Sequence, residues 1–447
     1  MTPPTHNPTT SATDPTPDTA TASAAAPAAT VPAAAPGGGP PGGQPGVGVV
    51  ICAAARTPIG SFQGGLSSLT PAELGAIAAR EACARAGVEP AAVDSVVAGT
   101  IIPVNPQGFY TSRMIGRAIG VPDTATALNV NRACGSGVQA IISAAQEIAA
   151  GTARIALAGG AETMSQAPYS VDGMRAGRRM GDGRLTDWLT GLLTCPFGSG
   201  HMGVTAENVA EAHGISRAEQ DACAWQSQQR AHDAITQGRF EEQIVPVTVR
   251  RRGREHTIDT DEHPRPTTVE ALAELPAAFT PGGSVTAGNS SGINDGACML
   301  VLAGEDTAAQ LHLARLGRIV AYGIAGVDPA HMGLGPVAAV PKALAAAGLT
   351  LDDMDVIESN EAFAAQALAV SRQLGFDEEI LNPHGGAIAL GHPVGATGAI
   401  LTTKALYYLK DTGGRYGLIT LCIGGGQGIA LIVESLAESA ATTKEDA

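Results

Sequence analysis

The chain of 447 residues is long enough for two or more domains with a large core, and its formal net charge at neutral pH is −15. This acidic balance argues against general binding to nucleic acids or anionic membranes, and no apolar run is long enough to span a bilayer. Seven cysteines without a CxxC pair do not resemble a disulfide framework or a zinc ribbon, so we expect a reducing, cytoplasmic location.

Residues 1–46 consist almost wholly of Thr, Ala, Pro, Gly and Ser, and they contain no Lys or Arg. Because such a segment buries little apolar surface, we expect a disordered low-complexity tail rather than a transit or signal peptide. A second flexible tail is expected at 438–447. Order is predicted to begin near Val47, where an apolar run indicates a buried strand.

Strand and helix patterns then alternate along the chain. Strands are predicted near 93–98, 125–130 and 154–158, and helices near 71–86, 110–119 and 138–150. The first helix has the clearest end signals, because Thr70 is a suitable N-cap, Pro71 stands at the first helical position and Gly87 follows the end. The alternation is typical of a largely parallel sheet covered by helices.

Strand patterns nearly disappear between 164 and 284, where helices are predicted at 205–213 and at 217–237, the latter with Ser216 as N-cap. We interpret this stretch as an insertion over the sheet, a usual place for substrate recognition. Alternation resumes near Leu316, and the end of the chain repeats the first half. Cys134 and His392 each precede a predicted helix, then a strand, then consecutive glycines. This echo suggests a duplication, with halves at 47–163 (completed by 285–310) and 311–437.

The segment Asn-Val-Asn-Arg-Ala-Cys-Gly-Ser-Gly at 129–137 lies between a predicted strand and a predicted helix. It places Cys134 at a helix start, where free N–H groups and the helix dipole favour a thiolate. Gly135 and Gly137 leave space for another backbone or a thioester carbonyl. A buried cysteine used for packing is the common alternative, but the glycines and the helix start favour a nucleophile.

Four C-terminal segments carry further polar groups: 286–296, 360–363, 382–395 and 422–428. Taken singly, His392 could be a turn residue, Cys422 a core residue and Asn360 a helix cap. Together they place reactive groups at strand ends, where open α/β sheets have their sites. A Cys–His pair suits covalent acyl transfer, and a second cysteine suits the formation of a carbanion next to a thioester. The ligand spacing does not fit a metal site, and no metal is expected.

The segments NRACGSG, TAGNSSGINDGA, NEAFA, GGAIALGHPVGATG and LCIGGGQG resemble those of the thiolases in order and spacing, over residues 47–437. The thiolases include the acetyl-CoA acetyltransferases and the 3-ketoacyl-CoA thiolases. The resemblance implies an α/β fold with a five-layered αβαβα architecture, two duplicated halves and an inserted loop domain at 164–284. It also implies a homotetramer, built as a dimer of dimers. The implied ligands are acetyl-CoA, acetoacetyl-CoA or another 3-ketoacyl-CoA, and CoA, with no cofactor, nucleic acid or membrane partner.

By this resemblance Cys134 forms the acyl thioester, His392 activates it, and Cys422 moves the proton of the α-carbon. His392 and a water held by Asn360 would form one oxyanion hole, and the N–H groups of Cys134 and Gly424 would form the other. The resemblance also implies a CoA and acyl pocket lined by Leu193, His201, Met202, Arg265, Phe279, Ala287, Ser291, Met332 and Phe363.

We therefore expect a ping-pong condensation of two acetyl-CoA to acetoacetyl-CoA and CoA, or the reverse thiolysis. The His-Met-Gly at 201–203 is similar to that of short-chain members, whereas 226–230 and 261–266 are similar to loops of 3-ketoacyl-CoA thiolases. A degradative thiolase for longer acyl chains is thus the alternative. A decarboxylating condensing enzyme would not need Cys422, and a non-catalytic acyl-CoA-binding protein on this fold would have lost one of the three reactive side chains.

Overall fold

The computed structural model describes residues 45–437, so the tails predicted at 1–46 and 438–447 lie outside the described residues except for Pro45 and Gly46. The strands are β1 (Pro45–Arg56), β2 (Gly60–Ser61), β3 (Ser95–Gly99), β4 (Thr126–Val130), β5 (Ile155–Thr163), β6 (Tyr169–Val171), β7 (Leu185–Asp187), β8 (Thr194–Cys195), β9 (Gly200–His201), β10 (Val247–Arg251), β11 (Arg254–Ile258), β12 (Asn294–Gly304), β13 (Gly317–Gly326), β14 (Val356–Ser359), β15 (Tyr416–Ile423) and β16 (Gln427–Ser435). The helices are α1 (Pro71–Ala86), α2 (Thr111–Ile119), α3 (Ser136–Ala149), α4 (Trp188–Leu192), α5 (Met202–Ala212), α6 (Arg217–Thr236), α7 (Val269–Ala273), α8 (Glu305–Gln310), α9 (Gly335–Ala347), α10 (Ala364–Leu374), α11 (Ala387–Leu390) and α12 (Thr397–Thr412). Within this part of the chain, no helix combines the length and apolarity needed to cross a bilayer.

The main sheet has the strand order β14–β15–β16–β13–β1–β12–β5–β3–β4, with β2 beside β12. Parallel pairing joins β3 to β4 and β5, and β14 to β15, whereas the other pairs are antiparallel. The prediction of a largely parallel sheet is therefore wrong, because the sheet is mixed. A turn at 424–426 joins β15 to β16 and is too short for a parallel crossover. Strand β12, which follows the insertion, runs opposite to both of its neighbours.

Two similar runs of strands make up this sheet. The first is β4–β3–β5–β12–β1, and the second is β14–β15–β16–β13 with an isolated parallel bridge to β14 at Leu381. In each run, the strand that comes first in the chain has a register shift. The shift lies between Ile51 and Ala53 in β1 and between Ile319 and Ala321 in β13. The common order and the matching irregularities agree with two halves that are built alike.

Helices cover both runs and fill the space between them. Helices α3 and α12 pack on each other, and their apolar side chains share one core with strands of both runs. Helices α1 and α2 cover the outer face of the first run, and α9 and α10 cover that of the second. The result is the expected five-layered arrangement of helix, sheet, helix, sheet and helix.

The predicted helix 71–86 is α1, in which Thr70 Oγ1 accepts from the N–H of Glu73 and the Glu73 carboxylate accepts from the N–H of Thr70. Ser216 caps α6 as predicted. The prediction for 205–213 began too late, because α5 starts at Met202 with His201 as its N-cap. The insertion also holds more strand than the sequence indicated, in the hairpins β6–β7, β8–β9 and β10–β11.

Two buried ion pairs tie the layers together. Both guanidinium Nη atoms of Arg56, at the end of β1, bind the Asp261 carboxylate of the insertion at 2.7 and 3.0 Å. Lys404 of α12 donates to the Glu358 carboxylate of β14 and to the carbonyl of Gly385, both at 2.7 Å. Removal of one partner of such a pair would leave an uncompensated buried charge, so these pairs restrict how the elements can pack.

The closest approach of α3 and α12 occurs at two glycines. A Cβ on Gly137 would lie 2.6 Å from the backbone N of Ala399, and a Cβ on Gly398 would lie 2.5 Å from the backbone N of Val138. Real Cβ atoms do not approach backbone atoms so closely. The two helix starts, each of which directly follows a candidate reactive turn, can therefore touch only because both positions are glycine.

Gly137→Ala and Gly398→Ala are each expected to lower the free energy of unfolding by about 1–3 kcal/mol, because the added methyl group overpacks a backbone contact. Denaturant unfolding of the purified variants measures this change. Gly191→Ala is the matched control, because Gly191 also lies in a helix but faces open space. The control should be neutral or up to about 1 kcal/mol more stable, and an equal loss in all three variants would contradict the packing argument.

Candidate active site

Cys134 lies in a strained turn between β4 and α3. The residue before it, Ala133, has a φ of +41°, which is uncommon for a residue other than glycine. The turn is held by its neighbours: Asn131 Oδ1 accepts from the N–H of Ala133 at 3.1 Å, and Ser136 Oγ donates to the carbonyl of Ala133 at 2.7 Å. These bonds stabilise the backbone conformation and hold Cys134, which is partly buried, just before the helix start.

Burial raises the pKa of the Cys134 thiol, although hydrogen bonds from the N–H groups of Gly424 and of Cys134 itself act in the opposite direction. The N–H groups therefore favour the thiolate, as expected at a helix start, but desolvation outweighs them. The thiol needs a base to become a nucleophile. The same two N–H groups lie near enough to the sulfur to lower its pKa, so they are placed to bind an oxygen on a group attached to it.

His392 lies on a loop after the short helix α11 and not directly at a strand end, which corrects the position inferred from the sequence. Thr397 Oγ1 donates to the carbonyl of Pro393 at 2.9 Å, so it can only accept from His392 Nδ1 at 2.7 Å. This arrangement assigns the proton to Nδ1 and leaves the lone pair on Nε2. Burial lowers the pKa of His392 to about 4, so the ring is a neutral base at physiological pH.

The His392 loop is also held by Asn294, a residue that the sequence analysis did not single out. Asn294 Oδ1 accepts from the N–H of His392 at 2.9 Å, and its Nδ2 donates to the carbonyl of Gly60 at 3.0 Å. Thr397 was missed as well. Both residues lie inside segments noted for their glycines, but nothing in those segments indicates which polar side chain turns inward.

Asn360 lies directly after β14, and its N–H donates to the carbonyl of Thr420 in β15 at 2.9 Å. Its Nδ2 faces His392 Nε2 at 3.5 Å, while its Oδ1 is buried and has no hydrogen-bond partner among residues 45–437. Asn360 does not cap a helix, because α10 begins at Ala364 with Phe363 as N-cap. The free Oδ1 is therefore available to a substrate or to a water beside the imidazole.

Cys422 is fully buried near the end of β15, two residues before Gly424. Burial and then the proximity of Cys134 raise the pKa of the Cys422 thiol. The Cys134 turn packs against this end of β15, because a Cβ on Gly135 would lie 2.5 Å from Ile423 Cδ1. The two thiols therefore share one site. Cys422 belongs to an apolar cluster with Met202, Met332 and Phe363, so three predicted pocket residues lie beside it.

Aromatic rings form one wall of this cluster. His201 stacks on Phe279 with ring centroids 4.9 Å apart and an angle of 17°, and the edge of Phe279 meets Phe363 at 6.0 Å. His201 Nδ1 accepts from the N–H of Gly203 at 3.1 Å, and burial lowers the pKa of His201. The ring is therefore a neutral, fixed part of the wall.

The remaining predicted pocket residues lie around this cluster. The carbonyl of Leu193 accepts from the N–H of Met202 at 2.8 Å, and the N–H of Ser291 donates to the carbonyl of Ala362 at 3.0 Å, next to Phe363. Leu193 and Ser291 are therefore each joined to a residue of the cluster by one backbone hydrogen bond.

Arg265 and Ala287 lie further out. Both are exposed, and a guanidinium Nη of Arg265 donates to the carbonyl of Ala287 at 3.4 Å. Arg265 lines a surface cavity of about 420 Å³ together with Gln228 and His232. The structure thus places Arg265 at an outer surface of the insertion and not beside the two thiols. Only a long ligand could contact both Arg265 and the thiols.

Thr397→Val is expected to lower the rate of Cys134 alkylation by iodoacetamide at pH 7 by roughly tenfold, because the buried Nδ1–H loses its acceptor, which costs about 1–3 kcal/mol. Mass spectrometry of the Cys134 peptide measures the rate. Thr397→Ser keeps the hydroxyl group and should react like the unaltered protein. Equal rates in both variants would contradict the role of the hydroxyl group in orienting His392.

Family models for the thiolase N-terminal domain and the thiolase C-terminal domain match residues 49–306 and 313–435. Beta-ketothiolase BktB of Cupriavidus necator is 51% identical over 390 residues, which are 87% of this chain and 99% of the relative. The acetyl-CoA acetyltransferase of Syntrophomonas wolfei is 47% identical over 393 residues, again 87% and 99%.

The fold agrees with solved structures. The crystal structure of human mitochondrial 3-ketoacyl-CoA thiolase has a TM-score of 0.85 at 45% identity, covering 87% of this chain and 99% of that one. A second structure of the human enzyme, in complex with CoA, has a TM-score of 0.84 at the same identity, covering 87% and 98%. Both family models match in consecutive order over most of the chain, and the relatives are matched over nearly their full length. The chain therefore belongs to the thiolase family.

Proposed function

We propose that this thiolase is an acetyl-CoA C-acetyltransferase that condenses two acetyl-CoA to acetoacetyl-CoA and CoA, or runs the reverse thiolysis. The observation that carries the proposal is the pairing of two thiols in one site: Gly135, next to Cys134, packs against Ile423, next to the fully buried Cys422. Hydrolysis would need one thiol, whereas carbon–carbon bond formation needs a nucleophile and a second base. Relatives named beta-ketothiolase and acetyl-CoA acetyltransferase support this reaction.

In the first half-reaction, His392 Nε2 takes the proton of the Cys134 thiol, and the thiolate attacks the carbonyl carbon of acetyl-CoA. The oxyanion of the tetrahedral intermediate accepts hydrogen bonds from the N–H groups of Cys134 and Gly424. The bond between the carbonyl carbon and the CoA sulfur then breaks. Cys422 gives its proton to the CoA thiolate, which leaves as CoA, and acetyl-Cys134 remains.

In the second half-reaction, the Cys422 thiolate removes a proton from the α-carbon of a second acetyl-CoA. The raised pKa of Cys422 suits this step, because a thiolate in a desolvated site is a stronger base. Protonated His392 and a water on Asn360 stabilise the enolate oxygen. The carbanion attacks acetyl-Cys134, the carbon–sulfur bond breaks, and His392 returns its proton to the Cys134 thiolate. All protons are accounted for by these side chains and substrates, so the proposed cycle uses no cofactor.

The acyl chain bound in this site is proposed to be short. The stacked His201 and Phe279 rings, closed by Phe363, fix a wall next to Cys422. The degradative alternative, a 3-ketoacyl-CoA thiolase for longer chains, is favoured by the flexible Met202 and Met332 side chains in the same cluster, because methionine adapts its shape readily. The relatives include enzymes with both names.

We further propose a homotetramer and a reducing, cytoplasmic location. Strand β4 forms an edge of the main sheet and exposes Leu128, and the segment of β6 and β7 exposes Met174, Met180 and Leu185, so apolar surface remains for other subunits. Sedimentation analysis of the purified protein measures the oligomeric state directly. All seven cysteines are free, which supports a reducing compartment.

Cys134→Ala is expected to abolish the covalent acyl-enzyme formed from labelled acetyl-CoA. Cys422→Ser should lower the rates of α-proton exchange and condensation by about 10²–10⁴-fold, the usual contribution of a positioned base, and should slow the acylation of Cys134 much less. Mass spectrometry of the acyl-enzyme and exchange of deuterium from solvent into acetyl-CoA separate the two steps. An equal loss of both steps in Cys422→Ser would indicate that this thiol is structural.

A substrate series decides the acyl length. The kcat/KM for thiolysis is expected to be higher for acetoacetyl-CoA than for 3-ketooctanoyl-CoA by on the order of tenfold or more, because a rigid wall rejects added methylenes. The reverse preference would select the degradative alternative. Failure to use either thioester would overturn the proposed activity.

A further inference from the structure

Glu162 is a buried carboxylate that the proposed reaction does not use. It lies near the end of β5 and is fully enclosed. Its Oε2 accepts from the N–H groups of Ile101 and Gly395, both at 3.0 Å, and its Oε1 accepts from the N–H of Ile102 at 3.2 Å. Burial raises the pKa of Glu162 to about 7 in spite of these three donors, so the carboxylate is ionised above that pH.

The Gly395 side of this arrangement leads to His392. Gly395 ends the loop His-Pro-Val-Gly that begins at His392, and the loop fits tightly against the first run of strands. A Cβ on Gly99 would lie 2.7 Å from the carbonyl oxygen of Gly395, and a Cβ on Gly160 would lie 2.0 Å from the same atom. The bond from Gly395 N–H to Glu162 therefore pulls the loop onto a surface that closely matches it.

The Ile101 side leads to Cys134. The carbonyl of Ile101 accepts from Asn131 Nδ2 at 3.4 Å, and Asn131 Oδ1 in turn holds the N–H of Ala133, the residue before the nucleophile. Gly99 also touches this turn, because a Cβ there would lie 2.8 Å from Ser136 Cβ. The Glu162 carboxylate thus binds two segments. The segment of Gly395 is part of the His392 loop, and the segment of Ile101 holds the Cys134 turn through Asn131.

We propose that Glu162 is a positioning residue that fixes the spacing between the Cys134 turn and the His392 loop. Its carboxylate accepts hydrogen bonds from the backbone N–H groups of Ile101, Ile102 and Gly395, and it acts through them. Cys134 and His392 lie on different halves of the chain. Because Glu162 binds a segment next to each of them, it limits their relative movement. A misplacement of about 1 Å between reacting groups can cost on the order of 100-fold in rate. The inference rests on the proposed pairing of Cys134 with His392.

Glu162→Gln tests the proposal, because one carboxylate oxygen becomes an amide group that cannot accept from the N–H it faces. At pH 8, the rate of Cys134 alkylation by iodoacetamide is expected to fall by on the order of 10- to 100-fold. On a His392→Ala background, the same change should cost less than about twofold, because there is no imidazole left to position. Thermal unfolding confirms that each variant is folded.

A loss of equal size on both backgrounds would overturn the proposal, since Glu162 would then only support the fold. No loss in folded Glu162→Gln, or no effect of His392→Ala alone, would overturn it as well. If Glu162→Gln does not fold, the same cycle is run with Glu162→Asp, which keeps the charge but is shorter by one methylene. The fall in the rate of Cys134 alkylation caused by Glu162→Asp should likewise disappear on the His392→Ala background.

Asp295→Asn is the matched control. Asp295 is a neighbouring buried carboxyl that accepts from the N–H of Ser165 at 2.9 Å, a bond that Asn can keep. Its alkylation rate should match that of the unaltered protein, and a loss as large as in Glu162→Gln would overturn the specific role of Glu162. Alkylation needs no thioester substrate. A protein that shows the expected cycle but does not use acetyl-CoA would therefore refute the proposed function while the positioning role stands.

Discussion

The contact of Gly137 with Gly398 is the constraint on which the site depends. Helices α3 and α12 come from different halves of the chain, and each starts next to a turn that carries a reactive group. Their backbones can touch only where neither residue has a Cβ. Because the helices meet at their starts, the Cys134 turn and the His392 loop are brought together in the middle layer. The strands and outer helices bury this pair and hold it in place.

Burial then decides the chemistry. In water a thiol and an imidazole would differ in pKa by about two units. In this site burial raises the pKa of both thiols and lowers that of His392, so the resting groups are neutral. Charge appears only during the reaction, and the N–H groups of Cys134 and Gly424 already lie near the place where it forms. The structure therefore stabilises the reacting state more than the resting state.

Much of this could be predicted from the sequence. Local signals fixed α1, because Thr70, Pro71 and Gly87 each mark a helix end, and the glycines around Cys134 correctly indicated close approach. Strand direction could not be read, because it depends on which distant strand becomes the neighbour, as for β12. The positioning groups were missed for a similar reason. Asn294 and Glu162 look like ordinary polar residues until folding brings each of them a backbone partner from more than 200 positions away. The partners of Thr397 are only four and five positions away, but the loop conformation that brings them together is not evident from the sequence.

The turn that joins β15 to β16 has a consequence for how the protein is made. Its Gly424 N–H completes the surroundings of Cys134, but Gly424 follows Cys134 by 290 residues in the chain. During synthesis the thiol at position 134 therefore exists first without its base His392, and then without Cys422 and the Gly424 N–H. The site is therefore assembled only after the second half of the chain has been made.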